Sequence, residues 1–166
     1  LERTLYNGVI SGMSMDGGRF FYPNPLSSDG KYAFNADNTK TRQPWFGCAC
    51  CPSNLCRFIP SVPGYLYGVK DNNIYVNLFA ANTSTIQVGG KDVVLEESTQ
   101  YPWDGDIQIR VVKSAAKNAN LLVRIPGWVQ NQVLPSDLYK YSDTAKPAYI
   151  VSVNGKKVEA DLAANK

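Results

Sequence analysis

All four cysteines of this 166-residue chain lie within nine residues, in Cys48-Ala49-Cys50-Cys51-Pro52-Ser53-Asn54-Leu55-Cys56. A disulfide framework spreads its bridges over a fold, and the adjacent Cys50 and Cys51 are poorly placed to bridge each other without strain. A thiolate metal site is geometrically easier, because zinc takes four ligands and favours sulfur. Pro52 fits the first position of a helix, where its missing N–H would have no intrahelical partner, so a helix is predicted over about Pro52–Ser61, closed by Pro60 and Pro63-Gly64. At that helix start Cys50 and Cys51 would feel the helix dipole, which lowers a thiol pKa and suits a sulfur to act as ligand, nucleophile or both. The competing reading of the same residues is of small buried hydrophobes at a crowded helix entry. Spacing leaves both readings open. Cys56 reads as a core residue of the helix, Cys48 is assigned to neither role, and no pair of CxxC motifs with a long spacer supports a zinc ribbon.

The rest of the composition narrows the chemistry. Histidine is absent, which removes Ser-His-Asp and Cys-His catalysis, His zinc ligands and His proton shuttling from anything encoded in this chain. Chemistry must then use carboxylates, thiols, Tyr, Lys or Arg. The 17 Lys and Arg are scattered among 14 Asp and Glu, for a net charge of +3, so no footprint for nucleic acid stands out. Apolar runs such as Ile74–Ala81 and Leu121–Ile125 fall far short of the roughly 18 residues of a membrane span. With 44% apolar and 19% charged residues the composition is globular. The chain opens Leu1-Glu2-Arg3-Thr4, without Met or a basic-then-apolar leader, and is expected to be a fragment of a longer protein.

The elements that must position the cysteines change character near residue 65. Before it, Leu1–Ile10 reads as the last turns of a helix ended by Gly8 or Gly12, Met13–Gly18 as a turn, Arg19–Tyr22 as a short aromatic run stopped by Pro23-Asn24-Pro25, and Ser27–Thr41 as a polar loop. That part lacks a core of its own. From Tyr65 onward the period is two: Ile74, Val76 and Leu78 alternate with Tyr75, Asn77 and Phe79. Further strands are predicted at Thr83–Val88, Asp92–Glu97, Ile107–Val112, Leu121–Ile125, Tyr149–Val153 and Lys157–Ala160. Gly89-Gly90 and Asn154-Gly155 serve as hairpin turns. The predicted fold class is mainly β, an antiparallel β-sandwich over 65–166 preceded by a short helical and loop segment over 1–64.

Taken together, Glu2-Arg3-Thr4-Leu5-Tyr6-Asn7-Gly8, Phe20-Phe21-Tyr22-Pro23-Asn24-Pro25-Leu26, Cys50-Cys51-Pro52-Ser53-Asn54 with Arg57, and Tyr101-Pro102-Trp103-Asp104-Gly105 resemble glycoside hydrolase family 127, the bacterial β-L-arabinofuranosidase family. The order continues through Arg124-Ile125-Pro126-Gly127-Trp128 and Val153-Asn154-Gly155, so the likeness covers nearly the whole chain. Singly, only Cys-Cys-Pro-x-Asn is specific. The resemblance implies that residues 1–64 end a catalytic (α/α)6 barrel and that 65–166 form most of a sandwich domain. It implies a zinc ion held by the two adjacent cysteines with a Glu and a Cys from an earlier barrel helix, Cys50 being nucleophile and ligand and Cys51 ligand. It places Glu2 and Tyr22 near the sugar pocket as substrate-binding residues. An exposed helical carboxylate and a packing aromatic are their plainer readings.

The expected function is therefore a piece of a retaining, zinc-cysteine glycoside hydrolase acting on an arabinose-containing oligosaccharide or glycan. The Glu-x-Cys pair, the general acid and the sugar-binding histidines of the family pattern are not in this chain, so zinc is expected in the intact parent, incomplete here, and the fragment alone is expected to be inactive. Its exposed barrel remnant would favour self-association. A bacterial source follows from the resemblance, in periplasm or cytoplasm. The alternative from another class is a noncatalytic β-sandwich carbohydrate-binding or structural module, with Trp103, Trp128, Tyr139 and Tyr141 as a sugar platform. Packing at the core and turns is the commoner use of such aromatics. Asp104 and Asp106 are too few oxygen ligands for a calcium loop.

Overall fold

Eight short strands carry the fold in the computed structural model, which describes residues 1–134, 136–143 and 149–159. Strands β1 (Tyr67–Lys70), β2 (Asn73–Val76) and β6 (Asn120–Val123) form one sheet in the order β1-β2-β6. Strands β3 (Asn82–Val88), β4 (Lys91–Thr99) and β5 (Ile107–Ser114) form a second antiparallel sheet in sequence order. The predicted mainly antiparallel β class is the one observed. Ile74 from the first sheet packs with Ile86, Val88, Val93 and Leu95 from the second, and Tyr67, Ala116 and Ala119 flank the cluster. The two sheets thus share one apolar core, as a sandwich requires.

Turn chemistry sets the register. Gly89 and Gly90 both have positive φ, 57° and 72°, and pair Val88 with Lys91 across a two-residue hairpin. Asp71, at φ 54°, does the same work between Lys70 and Asn73 in a hairpin that the sequence did not announce. On β4 the inward positions are Val93, Leu95 and Glu97, all buried, so a carboxylate occupies a phase that otherwise belongs to aliphatics. Tyr67 answers it from the other sheet: its hydroxyl donates to Glu97 Oε2 at 3.0 Å, while the Ala80 N–H donates to Oε1 at 3.2 Å. Burial pushes the Glu97 carboxyl above its ordinary value against these hydrogen bonds, and pushes the Tyr67 phenol up to about 12.

The segment before the sandwich is irregular. Its opening turns are helical but change pitch, from α1 (Glu2–Thr4) through a wide π turn over Leu5–Val9 to a 3₁₀ turn over Ile10–Gly12, the second of the two predicted stops. The aromatic run makes no strand; Phe20 bridges singly to Met13 and Gln43. Helix α2 spans Pro52–Phe58, shorter than predicted, and tightens into 3₁₀ turns over Ile59–Tyr65, where Pro60 and Pro63 lack the N–H groups an α-helix needs.

By its contacts the chain divides into two units, Leu1–Leu122 and Val123–Lys166. In the second, Asn154 and Gly155, both at positive φ, turn β7 (Val151–Val153) into β8 (Lys156–Val158) with Val153 paired to Lys156. The predicted end of that strand at Ala160 lies outside the described residues. The Arg124 guanidinium lies 5.9 Å from the Trp128 ring centroid, a cation–π contact. No helix among the described residues is long and apolar enough to cross a membrane.

Candidate active site

The cysteine loop is fixed from its own motif. Cys51 is the N-cap of α2, Pro52 is its first residue and is buried, and the next two side chains fold back. Ser53 Oγ donates to the Cys50 carbonyl at 3.1 Å and Asn54 Nδ2 donates to the same oxygen at 3.0 Å. Arg57 donates to Asn54 Oδ1, which leaves the Asn54 amide nitrogen free for Cys50. The residue types in Cys-Cys-Pro-Ser-Asn with Arg57 therefore have a mechanical reason: they lock the backbone that carries the Cys50 sulfur.

Tyr22 reaches this sulfur from 28 residues away. Its hydroxyl oxygen lies 2.7 Å from Cys50 Sγ in a hydrogen bond and donates to Cys48 Sγ at 3.7 Å. The hydrogen bond with Cys50, and then those with Cys48 and Cys51, hold the phenol proton and raise the Tyr22 pKa well above the usual tyrosine range. Phe46, buried to 2% exposure, packs edge-on against the Tyr22 ring at 5.4 Å between centroids. The Tyr22 N–H is taken by Oδ1 of buried Asn35 at 2.8 Å. Neither Asn35 nor Phe46 carries a signal of this role in the sequence, because both sit in loop without periodicity.

The three sulfurs stand side by side, Cys48 Sγ 3.8 Å from Cys50 Sγ and Cys50 Sγ 3.8 Å from Cys51 Sγ. Two thiolates each ~2.3 Å from a tetrahedral zinc stand about 3.8 Å apart, so the Cys50–Cys51 spacing suits two ligands of one such ion. Among the described residues no group of three or more His, Cys, Asp or Glu is placed to hold a metal. All four cysteines are exposed. That corrects the expectation that Cys56 belongs to a core: Pro52 is the one residue of the two-turn helix that is buried. An open cleft of about 460 Å³, lined by Val9, Cys51, Asn54, Leu55, Arg57 and Phe58, adjoins Cys51.

Glu2 is placed differently from the exposed helical carboxylate considered above. It is buried to 6% exposure, and Tyr101 donates a hydrogen bond to its Oε1 at 3.0 Å. Tyr101, in the turn between β4 and β5, is itself packed edge-on by Phe79 and Tyr6. The sandwich turn thus reaches the first helix, a link that the Tyr101-Pro102-Trp103-Asp104-Gly105 motif did not disclose. Trp103 is 82% exposed, and Tyr139 and Tyr141 are exposed too, in contrast to the packing roles expected of them.

The loops present an exposed Cys50 thiol beside a second thiol and a tyrosine hydroxyl, and the four cysteines are free rather than joined in disulfides. Residues 1–64 match the beta-L-arabinofuranosidase GH127 catalytic domain, and residues 73–166 match the beta-L-arabinofuranosidase GH127 middle domain. The chain belongs to glycoside hydrolase family 127. It is 32% identical to the non-reducing end beta-L-arabinofuranosidase of Bifidobacterium longum subsp. longum, over 98% of this chain and 23% of that protein. Among solved structures, a GH127 beta-arabinofuranosidase is 56% identical with a TM-score of 0.86, over 98% of this chain and 24% of that one. A GH127 beta-L-arabinofuranosidase from Geobacillus stearothermophilus T6 is 36% identical with a TM-score of 0.71, over 95% of this chain and 23% of its own. The chain therefore spans about a quarter of the length of these relatives.

Proposed function

We propose that this chain is the part of a retaining β-L-arabinofuranosidase that carries its nucleophile, Cys50, and that the intact protein acts on an arabinose-containing glycan. The observation that carries the reading is the Tyr22 hydroxyl 2.7 Å from Cys50 Sγ, with Cys51 Sγ 3.8 Å on the other side, in a chain of this family. Cys50 and Cys51 would hold a zinc ion together with ligands from outside this chain, and a bound zinc would keep the sulfur deprotonated at neutral pH. Residues 1–64 would close the catalytic barrel, and residues 65–166 would form the sandwich beside it.

Cys50 Sγ attacks the anomeric carbon, the glycosidic C–O bond breaks, and the leaving oxygen takes a proton from an acid outside this chain. Water then displaces the sulfur from the same carbon, so two inversions give retention. Ser53, Asn54 and Arg57 hold the backbone under the nucleophile through both steps. Tyr22 hydrogen-bonds the sulfur and, with Glu2, binds sugar hydroxyls; Tyr101 steadies the Glu2 carboxylate.

The test uses the full-length protein. Cys50→Ser should lower hydrolysis of an arabinofuranoside by about 10³-fold or more, and Cys51→Ser should lower zinc content along with activity. A slow substrate should leave a pentose adduct on the Cys50 peptide of the wild-type protein. Normal hydrolysis after Cys50→Ser overturns the proposal.

A further inference from the structure

Cys48 is the sulfur that the proposed chemistry leaves unused. It is exposed, 3.8 Å from Cys50 Sγ, and shares the Tyr22 hydroxyl with it. We propose that Cys48 is a resolving thiol: under peroxide it captures oxidised Cys50 as a Cys48–Cys50 disulfide and preserves the nucleophile in recoverable form.

Reach and Cα span favour Cys48 as the partner of Cys50. A Cys50 thiolate attacks a peroxide oxygen, the O–O bond breaks, and hydroxide leaves as water after taking a proton, which makes Cys50 a sulfenic acid. The Cys48 sulfur then attacks the Cys50 sulfur. The S–O bond breaks, the hydroxyl departs as water with the Cys48 proton, and a disulfide remains. A dithiol returns two hydrogens to the pair and is itself oxidised. Cys51 stands at the same 3.8 Å from Cys50 but is the poorer partner. Neighbouring Cα atoms across a trans peptide are about 3.8 Å apart, short of the roughly 4.4–6.8 Å that disulfides span. Cys51 is also committed as the N-cap of α2, whereas Cys48 lies outside regular structure.

The inference shares Cys50 with the proposed function, but its readout is covalent and does not require hydrolysis. The full-length holoprotein and its Cys48→Ser variant are treated with hydrogen peroxide, alkylated and digested with trypsin. Cleavage after Arg42 and Arg57 releases a peptide that holds all four cysteines. The wild-type peptide should lose two hydrogens, with fragmentation placing the bond between Cys48 and Cys50, and dithiothreitol should restore both thiols and the hydrolytic activity. In Cys48→Ser, hydrolysis before treatment should match the wild type, and after peroxide Cys50 should gain two oxygens that dithiothreitol does not remove. A bond from Cys50 to Cys51, an unmodified peptide in both proteins, or equal recovery of the variant and the wild type overturns the proposal. Should the disulfide form as described while Cys50→Ser still hydrolyses substrate, the catalytic reading alone fails.

Discussion

The segment from Leu1 to Tyr65 and the sandwich that follows it are held together by different forces. In the sandwich, Ile74, Val76, Leu78, Phe79, Ile86, Val88, Val93 and Leu95 are all buried, and burial of apolar surface at about 25 cal/mol per Å² is the dominant stabilising term. In the leading segment the buried apolar side chains beyond Pro52 are Leu5 and Phe46. Side chains latched onto distant backbone do the rest: Arg42 on the carbonyls of Ser11 and Gly12, Asn24 on that of Gly8, and Asn35 on Thr41 and Tyr22. Each such bond contributes only about 1 kcal/mol net. The segment that bears Cys50 is thus the one whose form rests least on an oily core. The nucleophile role proposed for Cys50 needs an exposed, precisely aimed thiol, and a loop pinned by hydrogen bonds can provide that where a buried strand cannot.

The largest effect that would sharpen this contrast is a cavity in the sandwich. Leu95→Ala should cost about 2–5 kcal/mol. Native-state hydrogen exchange should show the loss across β3, β4 and β5 together, since these strands are one hydrogen-bonded sheet. Phe46→Ala should instead lower protection at Phe20 and Gln43, whose backbones bridge beside it, and leave the strands as they were. Equal loss of strand protection in both variants would break the comparison and make the two regions one cooperative unit.

How much of each region could be read from the sequence follows from the same physics. Alternation at Ile74, Val76 and Leu78 and the Gly89-Gly90 and Asn154-Gly155 turns gave strands, hairpins and register, because burial on one face enforces a period of two. Strand β1 is not predicted because its four residues alternate too briefly to stand out, Val69 and Lys70 are both exposed, and its turn uses Asp71 at positive φ rather than a glycine. In the leading segment no period exists to be read. The Tyr22–Cys50 contact joins residues 28 apart, with Asn35 and Phe46 holding Tyr22, and in the sequence only the family motifs relate the two. The Cys50 backbone lock was legible as a motif but not as a mechanism, since the roles of Ser53, Asn54 and Arg57 depend on where their side chains turn.

A smaller effect separates polar anchoring within the sandwich from polar latching outside it. Tyr67 on β1 donates to Glu97 on β4 and takes a hydrogen bond from Asn82 Nδ2 at 3.1 Å, so one phenol ties the two sheets. Tyr67→Phe keeps the ring and removes the tie, leaving a buried carboxylate short of a donor, at a cost of about 1–3 kcal/mol. Urea denaturation would measure it. A neutral outcome would mean that the sheets are joined by apolar packing alone.

The finest distinction is a slope with pH. The Glu97 carboxyl is raised above its ordinary 4.5, chiefly by desolvation, so the folded state holds that proton more tightly than the unfolded chain does. The Glu97 contribution to stability should therefore be greatest below about pH 4.5, decline as pH climbs from there through the raised folded value, and level off above it, because in that window this group binds more protons in the folded state. Glu97→Gln keeps an oxygen for the Ala80 N–H and removes the titration. The difference between wild-type and variant denaturation midpoints should shift in favour of the variant as pH rises through this window. A difference that stays constant would show that Glu97 is solvated well enough to ionise in place, and that the carboxylate in the aliphatic phase of β4 is an anchor without a proton-linked cost.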